Sequence, residues 1–252
     1  MIAPHYAREH GWSAQKLSDT NRLLDRSHEE FMAHLKKKPV WRGPCKHNSL
    51  TQWFGSGSFA SLDTTTFHSP PSSALLSGYT ASLSPPYNTI AAAQLVLYGG
   101  TAPTYVPQGY MTAWFRCVAS VNGVFWLMRV TSGALSQPTT YYAAWTQFGS
   151  GGGVSGGLDQ VSGGAFVTLT GSGQSLSFSP NTWTNDAVTF WSDPTLGFIV
   201  RMSELSPTPQ TLPDVFDVND ALKTQALNKV GMGQSNGSLQ NAWFDDFQLF
   251  TP

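Results

Sequence analysis

Side chains that could act as acids, bases or nucleophiles are sparse in most of this sequence. Beyond residue 47 the chain has one histidine, His68, and one glutamate, Glu204. A retaining glycosidase of the β-sandwich type needs two carboxylates about 5 Å apart, and no Glu-x-Asp-x-Glu pattern is present. The Gly-x-Ser-x-Gly spacing occurs at residues 153–157 and 233–237, but no helix pattern follows either stretch, so neither predicts a nucleophile elbow to accompany His68. The sequence lacks Cys-x-x-Cys and His-Glu-x-x-His zinc spacings. We therefore expect a protein that is not an enzyme.

Two adjacent carboxylates, Asp245 and Asp246, lie within a strongly apolar stretch near the C-terminus, Trp-Phe-Asp-Asp-Phe-Gln-Leu-Phe. Strand alternation predicts that one face carries Trp243, Asp245, Phe247 and Leu249. Carboxylates in an apolar strand are costly unless hydrogen bonds or a metal ion compensate for the lost water. This strand is therefore the sharpest chemical motif in the sequence.

The motif resembles the final strand of the concanavalin A-like (laminin G-type) jelly rolls and of related carbohydrate-binding modules, which often reads aromatic–Asp–Asp–apolar–x–apolar. Upstream, Val230–Gly233 resembles the Gly-x-Gly turn that commonly precedes this strand, and Phe67–Gly78 resembles an early strand of the same fold. The resemblance covers roughly Leu50–Pro252 and implies a jelly-roll sandwich with a lectin-like function. It also implies that the first aspartate, Asp245, helps to bind a structural Ca²⁺.

The alternative for the Asp245–Asp246 pair is that both carboxylates accept hydrogen bonds from loop backbone. No other cofactor is expected. Asp214, Asp217 and Asp220 recur every three residues, but they lack the glycine and the terminal glutamate of a calcium-binding EF-hand loop. That spacing predicts a helix start or a solvated turn.

Sugar binding would use aromatic side chains as stacking platforms near strand ends or polar loops. Each candidate has an ordinary alternative, because a tryptophan or tyrosine more often belongs to a core or an interface. The candidate glycan-binding residues are Tyr141, Tyr142, Trp145, Trp183 and Trp191.

Charge divides the chain into two unequal parts. Residues 1–47 hold nine basic and five acidic side chains, whereas residues 48–252 hold five basic and ten acidic ones. Charged residues make up only 12% of the whole chain, about half the usual share. Arg116 and Arg129 are the only cations between residues 48 and 200, so we expect no nucleic-acid binding by the larger part.

The basic part predicts one helix over residues 13–35. Ser13 can cap the N-terminus of this helix, apolar residues recur at every seventh position, and Pro39 ends the helix. This helix could anchor the protein to a partner, or it could pack on the chain's own sandwich. The residues of the predicted assembly arm are Leu17, Leu24, Phe31, Leu35, Lys36, Lys37 and Lys38.

The larger part predicts short strands separated by Gly, Pro, Ser and Asn. Gly109–Ser120 alternates with aromatic residues on both faces, which is typical of a central strand, and Asn122-Gly123 predicts a hairpin turn into Val124–Thr131. Gly149–Gly157 predicts a flexible loop. The predicted fold is all-β, a two-sheet antiparallel jelly-roll sandwich (residues 48–252) with an N-terminal helical arm (residues 1–47).

No apolar run approaches the length of about 20 residues that a membrane helix needs, and the first residues do not resemble a secretory signal. Cys117 lies in an apolar alternating stretch and is expected to be a buried free thiol, while the state of Cys45 stays open. No membrane insertion is expected.

Two functional hypotheses follow. The first is a structural protein of a bacteriophage virion, such as a capsid decoration, head-fibre or tail-associated subunit, made in the host cytoplasm. Its arm would contact other virion proteins or copies of itself. The alternative is a glycan-binding module that recognises host or cell-surface carbohydrate in the extracellular space.

Overall fold

The chain folds as a β-sandwich of two antiparallel sheets with helices at its N-terminus. The structure is a computed structural model. It describes residues 1–42, 53–54, 60–76, 94–98, 106–118, 123–134, 137–148, 153–162, 165–177, 181–223, 229–234 and 241–252.

Two helices and sixteen strands lie within the described residues. The helices are α1 (Pro4–Glu9) and α2 (Ala14–His34). The strands are β1 (Trp41–Arg42), β2 (Trp53–Phe54), β3 (Ala60–Asp63), β4 (Ser73–Leu76), β5 (Gln94–Tyr98), β6 (Gly109–Cys117), β7 (Gly123–Ala134), β8 (Gln137–Phe148), β9 (Gly153–Ser162), β10 (Ala165–Ser177), β11 (Thr184–Asp193), β12 (Gly197–Ser206), β13 (Gln210–Thr211), β14 (Val215–Asp217), β15 (Lys229–Gln234) and β16 (Ala242–Phe250).

The first sheet has the strand order β13-β12-β11-β6-β16-β4-β3, with β14 paired to β12 and β1 paired to β16. The second sheet has the order β10-β9-β8-β7-β15-β5-β2. Alternate residues of the two sheets meet in one core. Its largest members include Met111, Phe115, Trp126, Tyr142, Phe190, Phe198 and Phe247.

Strand β6 is central, as its alternation predicts, because it pairs with β11 on one side and with β16 on the other. Met111, Ala113, Phe115 and Cys117 face the core and are buried, whereas the intervening residues are only partly buried. Cys117 is a buried free thiol, as predicted. Cys45 lies outside the described residues.

The predicted hairpin between β6 and β7 is wrong, because the two strands belong to different sheets. Asn122 itself lies outside the described residues. A two-residue turn is a local signal, and it does not reveal whether the chain crosses from one sheet to the other. Two further local predictions are wrong. In the predicted loop Gly149–Gly157, residues 149–152 lie outside the described residues and residues 153–157 begin strand β9. Val230–Gly233, predicted as a turn, lies inside strand β15.

Helix α2 agrees with its predicted position. The Ser13 side chain accepts a hydrogen bond from the Lys16 backbone N–H, at 3.1 Å, and caps the first turn. Leu24 and Phe31 are buried, while Leu17 and Leu35 pack at the edge of the same cluster. Neither helix of the described chain combines the length and the apolar character that crossing a membrane requires.

The apolar stripe of α2 packs on the outer face of the first sheet, against Trp191, Ile199 and Phe216. Each fully buried large apolar side chain of such a contact contributes roughly 1.5–3 kcal/mol. The Lys36 N–H donates to the Thr251 carbonyl at 3.0 Å. The side chains of Lys36, Lys37 and Lys38 are exposed. The arm therefore folds back on its own sandwich, which is one of the two alternatives left open by the sequence.

Polar contacts also join α2 to the sheet beneath it. The Trp191 indole N–H donates to the Ser27 hydroxyl at 3.0 Å, and that hydroxyl donates to Asp193 at 3.0 Å. Arg201 donates to Asp25 on the helix at 2.9 Å. These side chains fix the direction in which the helix crosses β11 and β12.

Asp217 and Asp220 each begin a turn, because each backbone carbonyl accepts the N–H three residues further on, but the predicted solvation is wrong: Asp214 and Asp217 are buried. Asp214 binds Arg201 with two hydrogen bonds of 2.7 and 2.8 Å and also contacts the Met1 amino group. Asp217 accepts a hydrogen bond of 2.5 Å from the Tyr142 hydroxyl of the second sheet. Each carboxylate thus joins a different pair of elements, a role that sequence spacing does not reveal.

Asp220 completes this set by forming an ion pair with Arg129, whose side chain is 1% exposed. Arg129 also donates to the Pro107 carbonyl at 2.9 Å and to the Ser192 hydroxyl at 2.6 Å. Removing one of these acceptors would destabilise the fold, because it would leave a buried guanidinium charge uncompensated.

Asp186 and Glu204 face one another across β11 and β12, and both are buried. Glu204 accepts hydrogen bonds from the Gln210 side chain at 2.7 Å and from the Thr208 N–H at 3.2 Å. Burial, and next the charge of Glu204, raises the pKa of Asp186 well above its usual range. Asp186 is therefore the member of the pair that retains a proton.

Replacing Asp186 with asparagine should raise stability at neutral pH. Because folded Asp186 keeps its proton above the pH at which the unfolded chain loses it, the wild-type protein loses stability as the pH rises from about 4. Asp186→Asn should flatten that loss when urea unfolding is followed at pH 5 and pH 8. Exposed Glu29→Gln is the control. An unchanged pH slope in Asp186→Asn would contradict the assignment.

His28 makes the docking of α2 sensitive to acid. Burial, and next the charge of Arg201, lowers the pKa of His28 to about 4. Between about pH 6.5 and that value the unfolded imidazole gains a proton that the folded one does not, so stability falls as the pH falls. Thermal unfolding at pH 7 and pH 4.5 should show a smaller loss in His28→Gln than in wild type. His34→Gln, on the exposed side of the same helix, should behave as wild type, and equal losses in both variants would disprove this role.

Candidate functional site

A group of aromatic and polar side chains lies on the outer face of the first sheet, away from the region that α2 covers. We call His68, Ser69, Trp114, Trp183 and Asp246 the His68 cluster. Strand β6 supplies Trp114, β16 supplies Asp246, and Trp183 immediately precedes β11. His68 and Ser69 lie in the loop between β3 and β4.

The rings of this cluster are stacked on the sheet. The His68 ring lies flat against Trp114, with 3.8 Å between ring centroids and 12° between planes. Trp183 meets the same imidazole edge-on at 5.9 Å and 69°. Trp114 and Trp183 are half-buried, and the His68 side chain keeps 30% of its exposure. The cluster therefore presents aromatic surface to solvent.

A β-bulge in β16 brings both adjacent carboxylates to the 68–69 loop. The pairing of β16 with β6 shifts between Asp245 and Gln248, and Asp246 adopts a left-handed backbone with φ of 49°. The predicted strict alternation is therefore wrong beyond Asp245. The extra residue allows Phe244 and Phe247, three positions apart, to face the same core.

Asp245 anchors the backbone of the loop. One of its carboxylate oxygens accepts the N–H groups of His68, at 2.9 Å, and Ser69, at 2.8 Å. The other accepts the Asp246 N–H at 2.7 Å. Burial raises the pKa of Asp245 although these hydrogen bonds oppose the shift.

This geometry agrees with the predicted alternative for Asp245, which binds loop backbone, whereas Asp246 contacts side chains of the same loop instead. Within the described ranges, no three His, Cys, Asp or Glu side chains converge on a point where a metal ion could bind. Calcium binding by Asp245 stays a prediction from the resemblance.

Asp246 binds the side chains of the same loop. Its carboxylate accepts the Ser69 hydroxyl and lies 3.2 Å from Nδ1 of His68, while the Ser69 oxygen lies 3.3 Å from that nitrogen. In a Ser–His–Asp triad the serine and the aspartate occupy opposite nitrogens of the imidazole. Here both contact Nδ1, so this arrangement does not activate Ser69 as a nucleophile.

One cation lies beside the cluster on the same face. The Arg116 guanidinium is 5.4 Å from the ring centroid of Trp243, and its Nε donates to the Asn181 carbonyl at 2.9 Å. The Trp243 indole donates to Asp63 at 2.7 Å. Burial alone would raise the pKa of Asp63, but hydrogen bonds from Thr65 and Trp243 lower it to about 2. Asp63 thus holds the indole on which Arg116 rests.

The predicted glycan-binding residues are dispersed rather than gathered. Trp183 belongs to the His68 cluster, and Trp145 is half-buried in β8 of the second sheet. Tyr141 and Tyr142 are 1% and 0% exposed, and Trp191 is 1% exposed beneath α2. These three rings are packed inside the molecule and have no free face for a ligand.

No pattern in the sequence places His68 beside Trp114. From the sequence, His68 is a candidate only for the base of a serine hydrolase. One usable signal was present, because Trp114 and Arg116 share a face of β6. The contact between this face and the loop joins residues distant in sequence, so local patterns cannot reveal it.

The solved structures that resemble this fold include two with TM-scores of 0.50 or above. One is the PL-14 alginate lyase from Aplysia kurodai, with TM-score 0.53, 10% identity, and coverage of 85% of this chain and 100% of that one. The other is the endo-β-1,4-glucuronan lyase from the fungus Trichoderma reesei, with TM-score 0.50, 8% identity, and coverage of 85% and 96%. At these identities the likeness shows the fold alone, a jelly-roll-like sandwich.

The carbohydrate-binding module CBM66 from Bacillus subtilis matches more weakly, with TM-score 0.44, 8% identity, and coverage of 76% of this chain and 94% of that one. The chain also aligns with a Bacillus halodurans xylan β-1,4-xylosidase, of whose length it spans 33%. No protein-family model and no curated protein sequence matches this chain.

Replacing Asp245 with asparagine should destabilise the protein. An amide of the same size would direct a donor or a weaker acceptor at backbone N–H groups, and a buried donor left unpaired costs about 1–3 kcal/mol. Urea unfolding of Asp245→Asn should show a loss of that order. Asp19→Asn, on the exposed side of α2, should change stability by under about 0.5 kcal/mol. A loss in Asp245→Asn no larger than in Asp19→Asn would show that the loop does not depend on this carboxylate.

Proposed function

We propose that this protein binds carbohydrate through the His68 cluster. The observation that carries the proposal is a partly exposed group of three aromatic rings on the outer sheet face, in which His68 stacks on Trp114 and meets Trp183 edge-on. A pyranose ring has faces made of C–H groups and a rim of hydroxyls. Its faces bury apolar area against aromatic rings, and its rim needs hydrogen-bonding partners.

The polar groups around the rings can form hydrogen bonds with the hydroxyls of the sugar. Asp246 and Ser69 border the imidazole, and Arg116 lies next to Trp114 along the same face of β6. Hydrogen bonds that involve a charged group contribute about 1.5–3 kcal/mol each. A site with one or two of them beside an exposed aromatic ring suits a sugar.

The fold comparisons support a carbohydrate as the ligand. By their names, the two lyases with TM-scores of 0.50 or above act on the polysaccharides alginate and glucuronan. One fold hosts many functions, so this support is analogy and the site itself must be tested. The prediction that this chain is not an enzyme stays a prediction. Any glycan that binds should be assayed for cleavage.

The virion role stays a prediction as well. Its main support was a basic arm thought to contact another protein, and the apolar stripe of α2 packs on the chain's own sheet. Of the predicted assembly-arm residues, Lys36, Lys37 and Lys38 are the exposed ones. Glycan binding is therefore the better supported of the two hypotheses, and an extracellular location is proposed with it.

Replacing Trp183 with alanine should weaken glycan binding about tenfold, equivalent to about 1.4 kcal/mol, because the ligand loses one stacking surface. The test is a glycan array with the wild-type protein, followed by calorimetric titration of the best ligand against each variant. Tyr110→Ala is the matched control, since Tyr110 is a half-buried aromatic residue of β6 that contacts Phe250 outside the cluster. Absence of any glycan ligand, or equal losses in the two variants, would refute the proposal.

A further inference from the structure

We propose that Asp246 is a positioning residue that holds His68 in the tautomer with the proton on Nδ1. The opposite ring nitrogen, Nε2, then offers a lone pair to a hydroxyl of the ligand. The ligand's identity rests on the proposed function, whereas the tautomer can be measured without any ligand.

The backbone of β16 is distorted at the residue that makes this contact. A non-glycine residue with positive φ is uncommon and strained, so it persists where the surrounding structure requires it. Asp246 has such a φ inside the bulge, and its carboxylate reaches the side chains of His68 and Ser69. Regular alternation would have placed successive carboxylates on opposite faces. The bulge instead directs both Asp245 and Asp246 at one loop.

The hydrogen-bonding groups around Nδ1 of His68 determine which ring nitrogen carries the proton. An ionised carboxylate only accepts hydrogen bonds, and a hydroxyl donates once. The Ser69 hydroxyl donates to Asp246, so it has no proton left for the imidazole. A lone pair on Nδ1 would therefore face two oxygen lone pairs, at 3.2 and 3.3 Å. A proton on Nδ1 turns both contacts into favourable ones.

The remaining contacts hold the imidazole in place without using Nε2. Trp114 supports one ring face, and the His68 backbone N–H is bound to Asp245. Among the residues that the structure describes, no hydrogen bond involves Nε2. A lone pair there favours a ligand hydroxyl, which can donate, and disfavours a ligand carboxylate or carbonyl, which cannot. His68 would thus select for a hydroxyl at one position of the sugar.

Nitrogen-15 NMR of the full-length protein tests the tautomer directly. Long-range ¹H–¹⁵N correlation spectra at about pH 8, where a free imidazole is neutral, distinguish protonated from unprotonated ring nitrogens. The His68 signals are assigned by their absence in His68→Gln. We expect wild-type His68 in the Nδ1–H form, and a shift towards Nε2–H in Asp246→Asn.

Asparagine is a suitable replacement because it matches aspartate in size and tolerates positive φ. Asp19→Asn, with the same charge change outside the cluster, should leave the His68 spectrum unchanged. Wild-type His68 with its proton on Nε2, or a spectrum that Asp246→Asn does not alter, would overturn the proposal.

Binding measurements then separate this proposal from the proposed function. Asp246→Asn should weaken glycan binding about tenfold while its urea midpoint stays close to that of wild type, because a purely structural role would move the midpoint instead. If the tautomer behaves as expected but wild type binds no glycan, the positioning role stands and the proposed function fails. If glycan binds but the tautomer is unaffected, the positioning role fails and the proposed function stands.

Discussion

Burying a carboxylate costs several kcal/mol unless donors surround it, and this constraint joins the separate parts of the sandwich. Asp214 connects β12 to the N-terminus, Asp217 connects the two sheets through Tyr142, and Asp245 connects the final strand to an early loop. Asp186 satisfies the same constraint differently, by keeping its proton. In a chain with only 12% charged residues, these few groups account for much of the specific geometry.

The candidate site is a local consequence of that constraint. The buried carboxylate oxygens of Asp245 need hydrogen-bond donors. The backbone N–H groups of His68 and Ser69 supply two of them. Binding them draws the loop over β6, where the imidazole meets the face of Trp114. The bulge that follows then brings Asp246 to the ring. One anchored carboxylate thereby converts an ordinary strand surface into a preorganised aromatic platform.

Coverage of the outer face decides which aromatic rings are available. Helix α2 covers Trp191 and the neighbouring part of the first sheet, so rings there stabilise the arm. The cluster on β6 and β16 lies outside that area and keeps aromatic surface exposed. The same sheet face thus has an apolar half that binds the chain's own helix and a mixed half that neither described helix covers.

Much of the local structure could be predicted from the sequence. Ser13 and the recurrence of Leu17, Leu24 and Phe31 at every seventh position predicted the helix. Capping and side-chain direction depend on residues that lie within a few positions of one another in the sequence. Period-two alternation likewise determined strand β6 and, repeated along the chain, an all-β sandwich. These features depend on neighbours in sequence, which a pattern contains.

Tertiary structure alone decided which strands pair, where the β-bulge of β16 lies, and which aromatic rings stay exposed. Asn122-Gly123 predicts a hairpin, yet the adjoining strands belong to different sheets. Trp183 immediately precedes β11 and Trp191 lies within it, yet only Trp191 is covered by the N-terminal helix α2. His68 became a site residue through Asp245 and Asp246, far away in sequence. Such outcomes depend on contacts between distant segments, and no local pattern of residues encodes them.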